Sequence, residues 1–339
     1  MKTEINVEAN EALQSKESVD LAEPLNTADP SEESPTANRV VNPSANPLLC
    51  GFFAELFPGA GYLYAGSNHD AALASTLAIP LFGRHFVPAT TWSEAAAKAN
   101  VVHTSRDVFG YTVYDSFQSC LSQPSRAKLK IADPHYRFGQ LFMAPTQIEN
   151  YRNWKVAVPA AIYLLNFVSR LSQDGISSKL TPSRALVSIP LIIASMFLTG
   201  VGEESEFRGY QHVALAEATN RPVGNVLQAA SFGLCHTRTG ICSSPYLSGN
   251  IARGLSTLDP AKQYAAPSSQ SDGGDLSDLE YFVSAGLAGL YFGYIHQSEP
   301  DGLLKSITVH ALGNTLLTLG DLLTSGNTGR MYLSVNLAF

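Results

Sequence analysis

The chain has 339 residues, of which 45% are hydrophobic and only 15% are charged. Soluble proteins contain about 25% charged residues, so this deficit favours a membrane protein. The formal net charge is −7, and most of the acidic excess lies in residues 1–46. No basic stripe stands out, which argues against a nucleic-acid partner.

Residues 1–46 form an acidic segment that is rich in Ser, Pro, Asn and Glu. With few large apolar side chains, this segment cannot bury enough surface to offset the entropy that it would lose on ordering. We therefore predict a disordered N-terminal tail, followed by a folded part whose charges nearly balance.

Several apolar stretches are long enough to cross a bilayer, which takes about 20 residues. The clearest is 185–202, which contains no charged residue. We predict an all-α fold, a polytopic transmembrane helical bundle of about six to eight membrane helices. The candidate spans are residues 48–65, 71–87, 154–168, 185–202, 222–235, 279–295 and 303–323.

Four regions are expected along the chain. The disordered tail at 1–46 precedes membrane and interfacial helices at 47–153, where aromatic residues are mixed with Arg and Lys as at a membrane interface. A membrane domain follows at 154–323, and a short tail ends the chain at 324–339. Small residues at 284–293 predict close packing of one helix in the membrane domain against its neighbours.

The chain has four cysteines, Cys50, Cys120, Cys235 and Cys242, with no CxxC pair among them. This spacing argues against a disulfide framework or a structural zinc site. We expect buried free thiols, because free cysteine is among the most buried residue types.

The strongest chemical signal is a pair of adjacent carboxylates, Glu203 and Glu204, directly after the uncharged stretch. Ionisable groups inside a membrane are costly and therefore indicate function. If the helix continues, Arg208 lies four residues after Glu204 and pairs with it. Glu203 then points about 100° away around the helix, free to act as a general base. The alternative is a helix that leaves the membrane with its charged residues outside.

Two further polar sets lie on apolar stretches. His236 follows Phe232 by four residues, so that the phenyl ring packs beside the imidazole. His310 and Asn314 share one helix face at the same spacing, and buried polar groups there need partners. Each set alone is equally consistent with structural hydrogen bonds between helices.

Together, these residues place one carboxylate, two histidines and one amide on three apolar helices. Glu203 could take a proton from water as a general base, and His236 could hold that water. His310 and Asn314 could donate hydrogen bonds to the oxyanion of a tetrahedral intermediate. The residues alone therefore predict hydrolysis in a dry cavity.

The ordered motifs EExxxR, FxxxH and HxxxN resemble the CAAX protease and bacteriocin-processing family of intramembrane endopeptidases. The resemblance covers roughly residues 185–322. It implies a helical bundle with its site inside the membrane. It also implies cleavage of a peptide bond, which prenyl-processing members cut beside a lipidated cysteine. The motif residues are Glu203-Glu204 with Arg208, Phe232 with His236, and His310 with Asn314.

The resemblance also implies a role for each motif residue. Glu203 would be the base, His236 would bind the water, and His310 with Asn314 would form the oxyanion site. The supporting residues would be Glu204, Arg208 and Phe232.

Members of this family are described both as metalloproteases and as glutamate-dependent proteases. We favour a mechanism without a cofactor, because the sequence has no HExxH motif. Zinc held by Glu203, His236 and His310 is the alternative. The expected partners are a peptide or lipidated-protein substrate and membrane lipid. The expected location is the bacterial cytoplasmic membrane, as an integral multi-pass protein.

Two other functions remain open. One is a catalytically silent membrane scaffold, immunity or regulatory protein of the same fold. The other is a proton-coupled transporter, which would show an inverted repeat, and no internal repeat is evident. Glu206, His212 and His296 also lie near the motifs, and we expect interfacial or structural roles for them.

Overall fold

Helices are the only regular secondary structure among the residues that the computed structural model describes. This confirms the all-α prediction. The tails predicted at 1–46 and 324–339 lie almost entirely outside those residues. The described residues are 42, 44–83, 92–237 and 278–326.

In the first half of the chain, short helices accompany one long helix. The predicted spans 48–65 and 71–87 are broken into short pieces. The break in the first span lies at Gly59, which precedes the second helix with a positive φ of 88°, a conformation that glycine adopts readily. The helices are α1 (Pro47–Leu56), α2 (Ala60–Tyr64), α3 (Asn68–Ser75), α4 (Ala78–Gly83), α5 (Trp92–Ser119), α6 (Gln123–Arg126), α7 (Phe138–Met143) and α8 (Ile148–Tyr151), with a 3₁₀ turn at Ala144–Thr146.

The second half contains the longer helices, and all five spans predicted there are helical. A π-helical segment, Ser205–His212, connects the tenth helix to the eleventh without a break. The helices are α9 (Trp154–Asp174), α10 (Pro182–Glu204), α11 (Val213–Ala218), α12 (Arg221–Cys235), α13 (Asp278–Ser298) and α14 (Gly302–Ser325).

Local sequence explains where two of these helices begin and how two are joined. The side chains of Asn153 and Asn220 accept hydrogen bonds from the first-turn N–H groups of α9 and α12, as N-cap residues do. Pro159 lies inside α9 and cannot donate to the carbonyl oxygen of Lys155. The hydroxyl of Tyr291 on α13 donates to that oxygen instead, at 2.7 Å. The proline therefore creates a link between α9 and α13.

Glycines bring α12 and α13 close together, as the small residues at 284–293 predicted. A Cβ atom on Gly293 would lie 1.9 Å from Oδ1 of Asn225. A Cβ atom on Gly233 would lie 2.6 Å from the carbonyl oxygen of Phe282. Neither contact leaves room for a larger side chain, so the prediction of close packing is confirmed.

Helix α5 lies in the core of the bundle. Its side chains Phe109, Val113 and Phe117 follow each other at intervals of four and are fully buried. That spacing places them on one face of the helix, which packs against residues of α1 and α11. The sequence predicted interfacial helices in this stretch, whereas the structure gives α5 a central position.

An ion pair fastens one end of the bundle. Glu299 lies just beyond α13, outside the predicted spans, and its Oε1 is 2.5 Å from Nζ of Lys155 at the start of α9. This hydrogen bond to Lys155 lowers the pKa of Glu299 below its ordinary value. The pair is therefore charged at neutral pH and ties α9 to the end of α13.

One helix in the described part of the chain is long and apolar enough to cross a membrane. It comprises Ala185–Ala218 and has a hydropathy of 2.0. The predicted number of membrane helices therefore stays a prediction. Large apolar side chains are nonetheless exposed on several helices, where they form an outer apolar surface. Its members include Val158, Ile162, Leu165, Leu186, Leu191, Val226 and Leu287.

A disulfide bond joins Cys50 of α1 to Cys120, the residue after α5. Cys235 is disulfide-bonded as well, and no cysteine in the described residues is free. The expectation of free thiols is therefore wrong. The pairing of Cys50 with Cys120 depends on α1 packing against the end of α5, and no local sequence spacing reports that contact.

Loss of this bond should destabilise the protein. Replacing Cys50 and Cys120 together with serine is expected to lower the free energy of unfolding by about 2–5 kcal/mol, because the bond restricts the unfolded chain over a long loop. Denaturant unfolding in detergent micelles measures the change. Equal stability of the wild type and the double variant, or labelling of both thiols in the unreduced, denatured wild type, would contradict the prediction.

Candidate active site

Helices α10, α12 and α14 bring residues of all three predicted motifs together. Oε2 of Glu203, near the end of α10, lies 3.7 Å from Nε2 of His236 and 3.7 Å from Nε2 of His310. His236 follows the last residue of α12, and His310 lies in the middle of α14. The three residues are far apart in sequence, and the structure places them around one point.

The two adjacent glutamates have different surroundings. The side chain of Glu204 is completely buried, and its Oε1 accepts hydrogen bonds from Nδ1 of His310 at 2.7 Å and from the guanidinium of Arg208 at 3.0 Å. The side chain of Glu203 keeps 18% of its surface exposed. Glu203 can therefore meet water and substrate, whereas Glu204 holds other side chains in place.

The helix widens immediately after Glu204, where Ser205–His212 forms the π-helical segment. π-helical turns are rare and are frequent at functional sites. Glu206 and His212 in this segment are fully buried, and Nδ1 of His212 lies 3.2 Å from Nδ1 of His296. Their burial agrees with a structural role for these residues.

Arg208 is enclosed by aromatic rings and a backbone carbonyl. Its guanidinium carbon lies 4.3 Å from the ring centre of Phe232 and 5.2 Å from that of Phe292. It also donates to the carbonyl oxygen of Gly289 at 3.2 Å. Phe292 stacks on the imidazole of His310, with 5.1 Å between the ring centres. Sequence reasoning missed Phe292, although it lies within the glycine-rich stretch before the third motif.

Hydrogen bonds fix which nitrogen of each catalytic-site histidine carries the proton. Nδ1 of His236 lies 2.7 Å from the carbonyl oxygen of Phe232, which can only accept. Nδ1 of His310 faces the carboxylate of Glu204 in the same way. In the neutral imidazoles both Nε2 atoms are therefore acceptors, and both face a third acceptor on Glu203. Such a set lacks a hydrogen-bond donor. A water molecule that donates to these acceptors, or a cation that they bind, would satisfy it.

The same three residues are of the types that bind zinc. Carboxylate and imidazole are common ligands of this ion, and ligating histidines usually donate their second N–H to a carbonyl or carboxylate, as His236 and His310 do here. Within the described ranges, however, no group of three His, Cys, Asp or Glu side chains has the geometry of a metal site. The ligand types suit zinc, but the positions of the ligand atoms do not require a metal ion.

Asn314 lies one turn beyond His310 on α14. Only 4% of its surface is exposed, and its amide nitrogen Nδ2 has no hydrogen-bond partner among the described residues. Leaving a buried donor unpaired costs about 1–3 kcal/mol. A buried donor that is kept unpaired at that cost is a candidate for binding an acceptor on the substrate.

An apolar cavity of about 770 Å³ lies beside the site, between α9, α13 and α14. Phe292 lines this cavity and also stacks on His310. The cavity therefore adjoins the ring that contacts the histidine. The cavity is lined by Pro159, Ile162, Tyr163, Leu279, Glu280, Val283, Ser284, Leu287, Ala288, Tyr291, Phe292 and Val309.

Comparison with known families identifies one match. A family described as type II CAAX prenyl endopeptidase Rce1-like matches residues 185–316, which contain all three motifs. This segment, which is less than half of the chain, is therefore similar to the CAAX prenyl endopeptidases. That family consists of membrane-associated proteases, and the match supports the family that the motifs predicted. No curated protein and no solved structure matches the chain.

Proposed function

We propose that this protein is a multi-pass membrane endopeptidase that cleaves a peptide bond with a water molecule activated by Glu203. The observation that carries the proposal is the convergence of Oε2 of Glu203 with Nε2 of His236 and Nε2 of His310, at 3.7 Å in each case. Both imidazoles are held from behind by hydrogen bonds, so the three acceptors face one another before substrate arrives.

The first step uses these acceptors to activate water. A water molecule between them donates one hydrogen bond to Glu203 and the other to an imidazole, His236 or His310. Glu203 takes the proton as the water oxygen bonds to the carbonyl carbon of the substrate. Because the rings are already oriented, little reorganisation is needed at the moment of reaction.

The new bond leaves negative charge on the former carbonyl oxygen. Nδ2 of Asn314 is a buried donor one turn beyond His310 that has no hydrogen-bond partner among the described residues, and it supports an oxyanion site. The sequence also predicted His310 as a donor there, but the Nδ1 proton of His310 is bound to Glu204. We therefore assign His310 to the water side and Asn314 to the oxyanion side.

Collapse of the intermediate completes the reaction. The carbon–nitrogen bond breaks, and Glu203 returns its proton to the leaving nitrogen, so the glutamate acts first as base and then as acid. The products are a new carboxyl terminus and a free amine, and Glu203 is again a carboxylate. No other proton donor is needed for the cycle.

The apolar cavity supports a substrate with a long hydrocarbon chain. Its lining includes Phe292, which stacks on His310. It also includes Ile162 and Leu287, which are 60% and 61% exposed. These side chains belong to the outer apolar surface. A surface of this kind suits contact with lipid tails, so a lipidated peptide could enter sideways from the bilayer with its hydrocarbon chain in the cavity.

The proposal can be tested with the purified full-length protein in detergent. The substrate is a short peptide that carries a farnesylated cysteine three residues before its C-terminus, and the control is the same peptide without the lipid. We expect cleavage of the lipidated peptide with a kcat/KM at least about tenfold above that of the control, because the cavity binds the hydrocarbon. Failure to cleave either peptide would contradict the proposed function.

Chelation distinguishes the two forms of the mechanism. We expect cleavage to persist after treatment with 1,10-phenanthroline, since water held by Glu203, His236 and His310 needs no metal. Loss of cleavage on chelation, followed by recovery on addition of zinc, would instead assign these residues as zinc ligands. The non-chelating isomer 1,7-phenanthroline is the matched control.

A further inference from the structure

Helix α5, which lies outside the segment matched by the family, contacts α10 directly beside Glu203. A Cβ atom on Gly202 would lie 2.4 Å from Cα of Asp107, and one on Gly110 would lie 2.3 Å from the carbonyl oxygen of Gly202. Only glycine permits backbones to approach so closely. The contact therefore fixes α5 at the residue that precedes Glu203.

This contact carries buried charges into the vicinity of the site. Arg106, next to Asp107, is 6% exposed, and its guanidinium lies 3.1 Å from Oε2 of Glu206. Asp107 is 4% exposed and accepts a hydrogen bond from the hydroxyl of Thr199 on α10 at 3.1 Å. These charges come from α5 and from the π-helical segment after Glu203, and Glu55 of α1 lies close enough to interact with Arg106 and Glu206.

A buried ion pair is a poor way to gain stability, because the cost of removing two charges from water can exceed their attraction. The pair between Arg106 and Glu206 therefore calls for another explanation. Its position offers one. Arg106 adjoins Asp107, whose backbone contacts Gly202, the residue before Glu203, and this brings the guanidinium charge within electrostatic reach of Glu203. Arg208 is the second guanidinium within such reach.

We propose that Arg106 is a positioning residue for the reaction: Glu206 holds its guanidinium in place, and its positive charge, together with that of Arg208, orients and stabilises the Glu203 carboxylate. Two buried guanidinium groups thus act on Glu203, one from α5 and one from the π-helical segment. The N-terminal helices complete the active site electrostatically and do not merely support it. This inference rests on the proposed role of Glu203 as the general base.

Three variants test the proposal with the farnesylated peptide as substrate: Arg106→Lys, Arg106→Gln, and Arg106→Gln combined with Glu206→Gln. We expect Arg106→Gln to lower kcat about tenfold or more with KM changed less than twofold, because the charge acts on the reacting carboxylate and not on substrate binding. Arg106→Lys keeps the charge and should retain at least about a third of the wild-type kcat.

The double variant separates positioning from folding. Arg106→Gln alone leaves the carboxylate of Glu206 buried without this partner and should lower the unfolding temperature. Neutralising Glu206 as well should recover that temperature without recovering kcat. Arg170→Gln is the control, because Arg170 forms an ion pair with Asp321 that is about one-third exposed, and it should leave both measurements unchanged.

The outcomes are distinct. A wild-type kcat in the double variant would mean that Arg106 only neutralises Glu206, and a wild-type kcat in Arg106→Gln would mean that it does not act on Glu203. Either result overturns this inference while the proposed function stands. Failure of the wild type to cleave would overturn both.

Discussion

Replacing Glu203 with glutamine is expected to lower kcat by about 10²–10⁴-fold, the usual contribution of a general base. Glutamine has nearly the same shape and keeps the packing of the partly exposed side chain, but it cannot take a proton from water. KM should change little, because the side chain faces the histidines and not the apolar cavity. Cleavage of the farnesylated peptide measures the effect.

A matched control keeps this result specific. Glu149 on α8 is exposed, and Glu149→Gln should leave kcat and KM unchanged. An unfolding temperature for Glu203→Gln close to that of the wild type would show that the loss is chemical. Full activity of Glu203→Gln with the fold intact would remove Glu203 as the base and would contradict the mechanism.

The largest effect on stability is expected at Arg208. This side chain is completely buried and bonded to Glu204 and to the carbonyl of Gly289. Arg208→Leu would leave the carboxylate of Glu204 buried without this partner, and breaking such a pair costs about 3–5 kcal/mol. Arg208→Lys should also destabilise, because an ammonium group cannot bind Glu204 and stack between two phenyl rings at the same time.

Denaturant unfolding in micelles measures these changes. Adding Glu204→Gln to Arg208→Leu should recover part of the lost stability, since the uncompensated charge is then gone. Arg170→Gln, which breaks an ion pair that is about one-third exposed, should cost at most about 1 kcal/mol. An Arg208→Leu variant within that same range would show that the Glu204–Arg208 pair does not hold the site together.

The local parts of the site were predictable from the sequence. Glu204 and Arg208, Phe232 and His236, and His310 and Asn314 are each four residues apart, and helix geometry brings residues at that spacing to one face. The structure shows the first two contacts directly, at 3.0 Å between Glu204 and Arg208 and at 4.3 Å between the rings of Phe232 and His236. Neighbours within one helix need no knowledge of the fold.

Contacts between helices were the part that the sequence could not supply. The bond from His310 to Glu204, the stacking of Phe292 on His310 and the ion pair of Arg106 with Glu206 join residues that are 106, 18 and 100 positions apart. Many pairings of polar residues on apolar helices are compatible with one sequence. Packing selects among them, because each helix can bury only one face against a given neighbour.

The sequence by itself determined that the described part of the chain is all-α, that Glu204 pairs with Arg208 within one helix, and that the motifs resemble those of an endopeptidase family. Each of these conclusions follows from residue types and short spacings. Only the tertiary structure decided that Cys50 pairs with Cys120, that α5 enters the core, and that the Nδ1 proton of His310 is bound to Glu204. These features depend on which helices meet, and close approach at glycines such as Gly110 and Gly202 sets that meeting.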